Sequence, residues 1–184
     1  MDGVIASERL ELVSLSPPFI EALLDCRRGD AEAAARLRLP DGWPDRHDAG
    51  FLALRLRQMR ERPETQPWFV YAVVLPDGER TMIGHAGFHG PPGTNALKAA
   101  DAVELGYTIF GPYRRRGYAT EAVRTLIGWA ADEHGICRFI ASIGPGNAPS
   151  LAVVRRLGFV QTGRHWDEED GEELEFELRL NRAA

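Results

Sequence analysis

Between residues 103 and 130 the apolar residues change period, and this change most limits what the chain can fold into. Val103, Leu105, Tyr107 and Ile109 alternate with Glu104, Gly106, Thr108 and Phe110, the two-residue repeat of a strand with one covered face. After a polar bend, Ala119, Ala122, Val123, Leu126, Ile127 and Ala130 recur three and four apart. That spacing lines one side of a helix starting near Arg116. Cys137 to Ile143 reads as a further strand, and Ala148 to Leu157 as a helix closed by Gly158, with Phe159 packing back on it.

Upstream, Leu10 to Val13 is a strand candidate, and Pro17 and Pro18 suit the first turn of a helix. Helices are expected at Phe19 to Arg28, Ala31 to Leu39 and about Arg46 to Arg60, the last with Phe51, Leu54, Arg55 and Gln58 along one stripe. Trp68 to Leu75 reads as a strand covered on both faces, Pro76 to Glu79 as a hairpin turn, and Thr81 to His89 as the partner strand. Gly90 to Ala100 is a loop. Phe159 to Thr162 and Leu174 to Leu180 read as an antiparallel pair, with the leucines and Phe176 inward and Glu173, Glu175, Glu177 and Arg179 toward water. The fold class is therefore α/β (α+β): a mixed, mostly antiparallel sheet of about six or seven strands with helices packed on it.

The 184 residues are expected to form one domain. With 44% apolar and 27% charged residues the chain is not wholly disordered. Lys plus Arg is 22 against 27 Asp plus Glu, a net charge of −5, which argues against a nucleic-acid binder relying on bulk positive charge. Cys26 and Cys137 are far apart and lack ligand spacing, so neither a disulfide scaffold nor a metal site is expected. No stretch approaches the ~20 apolar residues that cross a bilayer. Asp2 stands where a signal peptide would carry bases. The expected setting is the cytoplasm, away from membranes.

The chemistry concentrates in the bend Phe110-Gly111-Pro112-Tyr113-Arg114-Arg115-Arg116-Gly117-Tyr118-Ala119-Thr120. It leads into a helix whose first turn has unpartnered N–H groups and a partial positive charge. Gly117 removes a side chain where the backbone would approach a ligand, Ala119 keeps the next position small, and Arg114, Arg115 and Arg116 add fixed charge. The set forms a receptacle for an anion with several oxygens, such as a pyrophosphate. The bland reading is a basic helix start with a solvated Arg run.

Glu104-Leu105-Gly106-Tyr107, the run Tyr113 to Ala122, Asn147-Ala148-Pro149-Ser150 and Leu157-Gly158-Phe159 together resemble the GCN5-related N-acetyltransferase (GNAT) superfamily. They are most similar to the branch that includes the ribosomal-protein N-terminal acetyltransferases. The close match covers about Val103 to Gly163; the first half matches in its order of elements. The resemblance implies helices on both faces of the sheet and a V-shaped splay between the fourth and fifth strands, Val103 to Phe110 and Cys137 to Ile143. It divides the chain into an acceptor-side half, 3–100, and an acetyl-CoA-binding half, 101–182. The pyrophosphate would sit on the amides of Arg115 to Thr120, and the pantetheine would pair with the backbone of Leu105 to Phe110. The implied reaction is direct attack of a primary amine on the thioester of acetyl-CoA. The amine is a protein N-terminal α-amino group or, alternatively, a small molecule or antibiotic. A CoA-binding regulatory module without catalysis is the reading from another class. Glu104 is the expected base, the N–H near Ile109 the carbonyl donor, and Asn147 and Ser150 partners of the pantetheine and sulfur. Glu104 also reads as a solvated or salt-bridged strand residue, and Asn147 and Ser150 as helix-capping residues. The resemblance leaves the chain a monomer or a homodimer.

Other residues point less far. His85 and His89 share a strand face, where a metal or base role is one reading and a place as sheet partners or acceptor-cleft wall the favoured one. His47, His134 and His165 have no ligand-spaced companion. Asp167 to Glu173 is expected as a solvated hairpin turn, with a weaker reading as a negative rim that attracts cationic amines. Trp43, Trp68 and Trp166 are expected in the core or the cleft wall, and Cys137 on a buried strand.

Overall fold

The computed structural model describes residues 3–168 and 171–181; Glu169 and Asp170, in the expected hairpin turn, lie outside the described residues. The elements are β1 Val4–Ala6, β2 Glu11–Ser14, α1 Pro17–Leu24, α2 Arg28–Ala35, α3 Arg46–Glu61, a 3-10 turn Pro63–Trp68, β3 Val70–Leu75, β4 Thr81–Phe88, β5 Ala102–Ile109, α4 Tyr118–His134, β6 Arg138–Ile143, α5 Ala148–Arg156, β7 Val160–Asp167 and β8 Gly171–Arg179. Eight strands form one sheet in the order β1-β2-β3-β4-β5-β6-β8-β7. All neighbours run antiparallel except β5 and β6, which α4 connects in parallel.

Two layers of apolar side chains cover the sheet. On one face Val103, Leu105 and Ile109 of β5 and Phe139 and Ala141 of β6 pack against Ala122, Val123, Leu126 and Ile127 of α4 and Leu151 and Val154 of α5. On the other, Val70, Ala72 and Val74 of β3 meet Phe19, Ile20, Leu52, Leu56 and Met59 from α1 and α3. Each buried aliphatic or aromatic side chain contributes about 1.5–3 kcal/mol. These two layers therefore fix the sheet that carries the site.

Several expectations change. The sheet has eight strands rather than six or seven, because Val4–Ala6 pairs with Val13, Leu12 and Glu11; three residues are too few to show a period. The first two expected helices begin two and three residues earlier and end four residues earlier, as α1 and α2, since Cys26 and Arg36 adopt positive φ and break the helices. Trp68 sits in the 3-10 turn, so β3 starts at Val70. In α3 the covered residues are Leu52, Arg55, Leu56 and Met59, while Leu54 is exposed: the apolar stripe lies one residue beyond the expected one. The C-terminal hairpin is longer than expected. Its glutamates are half-covered by ion pairs, Glu177 with Arg138 and Arg179 and Glu173 and Glu175 with His165.

Candidate active site

The two central strands meet only at their starts. Ala102, Val103 and Glu104 lie opposite Arg138, Phe139 and Ile140, and past those residues β5 and β6 diverge. Arg138 secures the joined end, its guanidinium 2.7 Å from Glu177 on β8 and 3.1 Å from Asp101 before β5. On its other edge β5 is held by β4: Phe110 donates its N–H to Ile83 and His89 donates its N–H to the Glu104 carbonyl. Main-chain groups alternate sides along a strand. Those of Leu105, Tyr107 and Ile109 therefore face the gap toward β6. The N–H and C=O of Phe110 are already engaged by Ile83 and Tyr113, and its ring packs on Trp43 and His85. Phe110 is thus brought to the side of the sheet away from α4.

The bend after β5 ends in Gly117, at φ +83°, as the residue before α4. A side chain there would pay the left-handed penalty, and its Cβ would stand 3.4 Å from an Arg9 guanidinium nitrogen. No side chain caps the first turn of α4, so the N–H groups of Tyr118, Ala119 and Thr120 point out of the helix end. Arg115 also takes positive φ, and Arg114, Arg115 and Arg116 are exposed. Arg114 donates through Nε to the Ile109 carbonyl at 2.8 Å, tying the bend to the end of β5. A cation that the sequence reading missed crosses this turn. Arg9 donates to Glu121 and to the Arg116 carbonyl and lies over the Tyr118 ring. Ser7 also donates to Glu121 at 2.8 Å.

Glu104 is not a solvated residue: it is 2% exposed. Oε1 accepts from the Ser142 hydroxyl at 2.6 Å and Oε2 from the Ala96 N–H at 2.7 Å. It faces away from Val103 and Leu105, into a cleft of about 700 Å3. The walls are the loop from Thr94 to Ala96, His89, the gap side of β5 and β6, Asn147 and Ser150 at the start of α5, and His165, Asp167 and Glu173 of the last hairpin. His89 Nδ1 is 3.6 Å from Glu104 Oε2. Burial and the charge of Arg55 push the His89 imidazole below its ordinary value, against the opposing pull of Glu104. Arg55 is itself covered, lies over the rings of Phe51 and Phe69 and donates to the His89 carbonyl at 2.9 Å. Burial lowers its pKa to about 10, which leaves it a cation at neutral pH.

Across the gap, Asn147 accepts from the Ser150 N–H at 3.2 Å and so caps α5. Ser150 lines the same cleft as Glu104, and its carbonyl accepts from the Tyr107 hydroxyl at 3.3 Å. The fold thus brings Glu104, Asn147 and Ser150 to one cleft, and strings Ile109, Arg114 to Thr120 and α4 along the continuation of its β5 wall.

The lesser candidates separate. His85 pairs with Asp48 at 3.4 Å and stacks on Phe51, whereas His89, one residue beyond β4, lines the cleft. Trp43 and Trp68 are covered, but Trp166 is 76% exposed, contrary to expectation. Cys137 precedes β6 and is half-buried. His89 stands in the cleft wall, one of its two expected places; Ser142 and the Ala96 N–H escaped the sequence reading because β-register and a loop bring them to Glu104. No helix among the described residues is long and apolar enough to cross a membrane.

Comparison with known proteins agrees with this architecture. The model of the Acetyltransferase (GNAT) domain family matches residues 9–160. The uncharacterized N-acetyltransferase YjdG of Bacillus subtilis (strain 168) is 24% identical over 170 residues, 89% of this chain and 96% of its own. Among solved structures, the ribosomal-protein-S5-alanine acetyltransferase of Vibrio fischeri superposes with a TM-score of 0.65 at 18% identity, covering 98% of each chain. The ribosomal L7/L12 α-N-protein acetyltransferase RimL in complex with coenzyme A superposes with a TM-score of 0.64 at 18% identity, covering 98% of this chain and 99% of its own. These superpositions show the fold. The chain belongs to the GNAT acetyltransferase family.

Proposed function

We propose that this GNAT acetyltransferase moves the acetyl group of acetyl-CoA to a primary amine in a ternary complex, and that the amine is a protein N-terminal α-amino group. The observation that carries the reading is the gap between β5 and β6. The cleft holding Glu104 is lined by Leu105 to Tyr107 of β5 and Ala141 to Ile143 of β6, and the chain continues from β5 into the bare first turn of α4. In this reading the first-turn N–H groups bind the diphosphate, with Arg114, Arg115 and Arg116 adding attraction. The pantetheine amides pair with the gap-facing groups of Leu105 and Tyr107, as an added strand would. The Ile109 N–H faces the thioester carbonyl and stabilises charge developing on its oxygen. The amine enters from the Glu104 side of the sheet and meets the thioester in the gap, which removes much of the entropic barrier.

An amine attacks only after losing a proton. Glu104 supplies the negative charge for that step. It is buried and each oxygen already accepts a hydrogen bond, so in this reading it acts through an intermediary. Asn147 and Ser150 present the start of α5 to the pantetheine and sulfur. The thiolate leaves readily, a thiol pKa being near ~8.5.

The α-amino acceptor is supported by structural neighbours that are ribosomal-protein acetyltransferases. The cleft volume is also the size of a small-ligand site, which favours a small amine as the second reading. The buried, fully hydrogen-bonded Glu104 weighs against a silent binding module. The cytoplasm, where acetyl-CoA is available, is the proposed place of action. Calorimetry with acetyl-CoA, then thiol release over peptides with free α-amino ends, polyamines and aminoglycosides, tests the proposal. Binding with turnover of the peptides supports it. Turnover confined to small amines selects the second reading, and binding without turnover across the panel selects the module.

A further inference from the structure

We propose that His89 is the group that takes the proton from the reacting amine, and that Glu104 is its positioning partner. The inference rests on the acetyl-transfer reading above and identifies the intermediary that reading requires. Glu104 is almost out of reach of a substrate: its side chain is 3% exposed, and Ser142 and Ala96 each donate to one of its oxygens. The His89 side chain is 46% exposed and lines the same cleft.

The histidine is held on three sides. Its N–H donates to the Glu104 carbonyl at 2.8 Å, and its own carbonyl accepts from Arg55 at 2.9 Å. Its ring lies over Gly106, where a Cβ would come within 3.3 Å of Nε2. The glycine at 106 thus leaves room for the imidazole beside Glu104. With Nδ1 turned to Glu104 at 3.6 Å, slightly beyond hydrogen-bond length, the carboxylate favours the proton on Nδ1. That leaves the Nε2 lone pair as the acceptor.

The charged and titratable groups around the ring are Glu104 on β5, Arg55 on α3 and, lining the same cleft, His165, Asp167 and Glu173. Partial burial, with nearly half of the side chain still open to the cleft, and the charge of Arg55 favour the neutral imidazole, the state that can accept, over the opposing pull of Glu104. The step balances. Nε2 takes one proton from the ammonium, and the freed nitrogen pair forms the C–N bond to the thioester carbon. The C–S bond then breaks with its pair on sulfur. The nitrogen's second proton passes to the thiolate, and the imidazolium returns its proton to water.

Histidine-ring NMR on the intact protein tests this without any acceptor. His89 is expected to titrate below about 6.5, as the Nδ1–H tautomer, and Glu104→Gln is expected to move that titration further down. His89→Gln identifies the resonance. In thiol release with a peptide bearing a free α-amino end, His89→Gln is expected to lower kcat about 100-fold. The acid limb of the pH profile should vanish, with acetyl-CoA KM within twofold, and added imidazole should partly restore His89→Ala. A ring charged at neutral pH, a titration unmoved by Glu104→Gln, or an acid limb that survives His89→Gln overturns the assignment. Where the peptide is not turned over, the ring titration decides alone. Failure of wild type to bind acetyl-CoA overturns the acetyl-transfer reading instead, and the histidine titration distinguishes the two failures.

Discussion

Glu104→Gln separates a catalytic carboxylate from a structural one. The amide keeps the size of the side chain. Its oxygen can go on accepting from the Ala96 N–H, and its NH2 then faces the Ser142 hydroxyl, which turns to accept. Two charge-assisted hydrogen bonds, about 1.5–3 kcal/mol each, become neutral ones of about 0.5–1.5 kcal/mol. Against that loss, a buried charge disappears, and with it a desolvation cost of similar size. Net stability should therefore change by no more than about 2 kcal/mol, a Tm shift of under about 8 °C for a chain of this size. Turnover should fall by about 10- to 100-fold, no more than on loss of His89 itself, or about 1.4–2.7 kcal/mol on the barrier. Acetyl-CoA affinity should stay within about twofold, because Glu104 points away from the gap-facing main chain. Thermal melts, calorimetry and steady-state thiol release measure the three quantities. A kcat within threefold of wild type, or a loss of kcat matched by an equal loss of acetyl-CoA affinity, would refute the reasoning.

Three further outcomes follow from the same geometry. Gly117→Glu forces a side chain into the left-handed region and brings a negative charge to the start of α4. It should cost about 1–2 kcal/mol of stability and weaken acetyl-CoA binding at least tenfold by calorimetry, whereas Gly117→Asn should keep most of the affinity. Arg138→Met removes the partner of Asp101 and one of two partners of Glu177. With these groups part-exposed, it should cost about 1–2 kcal/mol, read as a Tm drop of about 2–8 °C. Glu121 would be raised by burial, but hydrogen bonds from Ser7 and Arg9 outweigh this and hold it below its ordinary value near 4.5. Its folded pKa is the lower one, so its contribution is full above that value and is lost as pH falls through the folded pKa. The Tm gap between wild type and Glu121→Gln should accordingly shrink as pH drops below about 4.5; a gap constant from pH 6 to pH 3 would exclude the Glu121 contacts as its source.

What the sequence made legible is what repeats. The two-residue period from Val103 to Ile109 and the helical period from Ala119 to Ala130 place β5 and α4. The same alternation turns Glu104 away from the apolar face. Gly117 is legible because a left-handed residue before a helix needs it. The edge strand Val4–Ala6 is too short to announce itself, and in α3 Arg55 sits in the covered stripe as a cation between two rings. Ser142 and Ala96 are contacts of register and loop path. Nothing local in Phe139 to Ile143 says that Ser142 will reach Glu104, and the loop delivering the Ala96 N–H has no period. Trp166 misled because a large aromatic ring argues for burial, while β7 is a sheet edge.

The central claim is that the gap between β5 and β6 holds coenzyme A with its diphosphate on the first turn of α4. A crystal structure of the protein grown with coenzyme A tests it most directly. The account predicts diphosphate oxygens about 3 Å from the main-chain nitrogens of Gly117 to Thr120, with the pantetheine alongside Leu105, Tyr107 and Ile109. Coenzyme A bound elsewhere, or that turn filled by the Arg9 side chain with no diphosphate beside it, would contradict it.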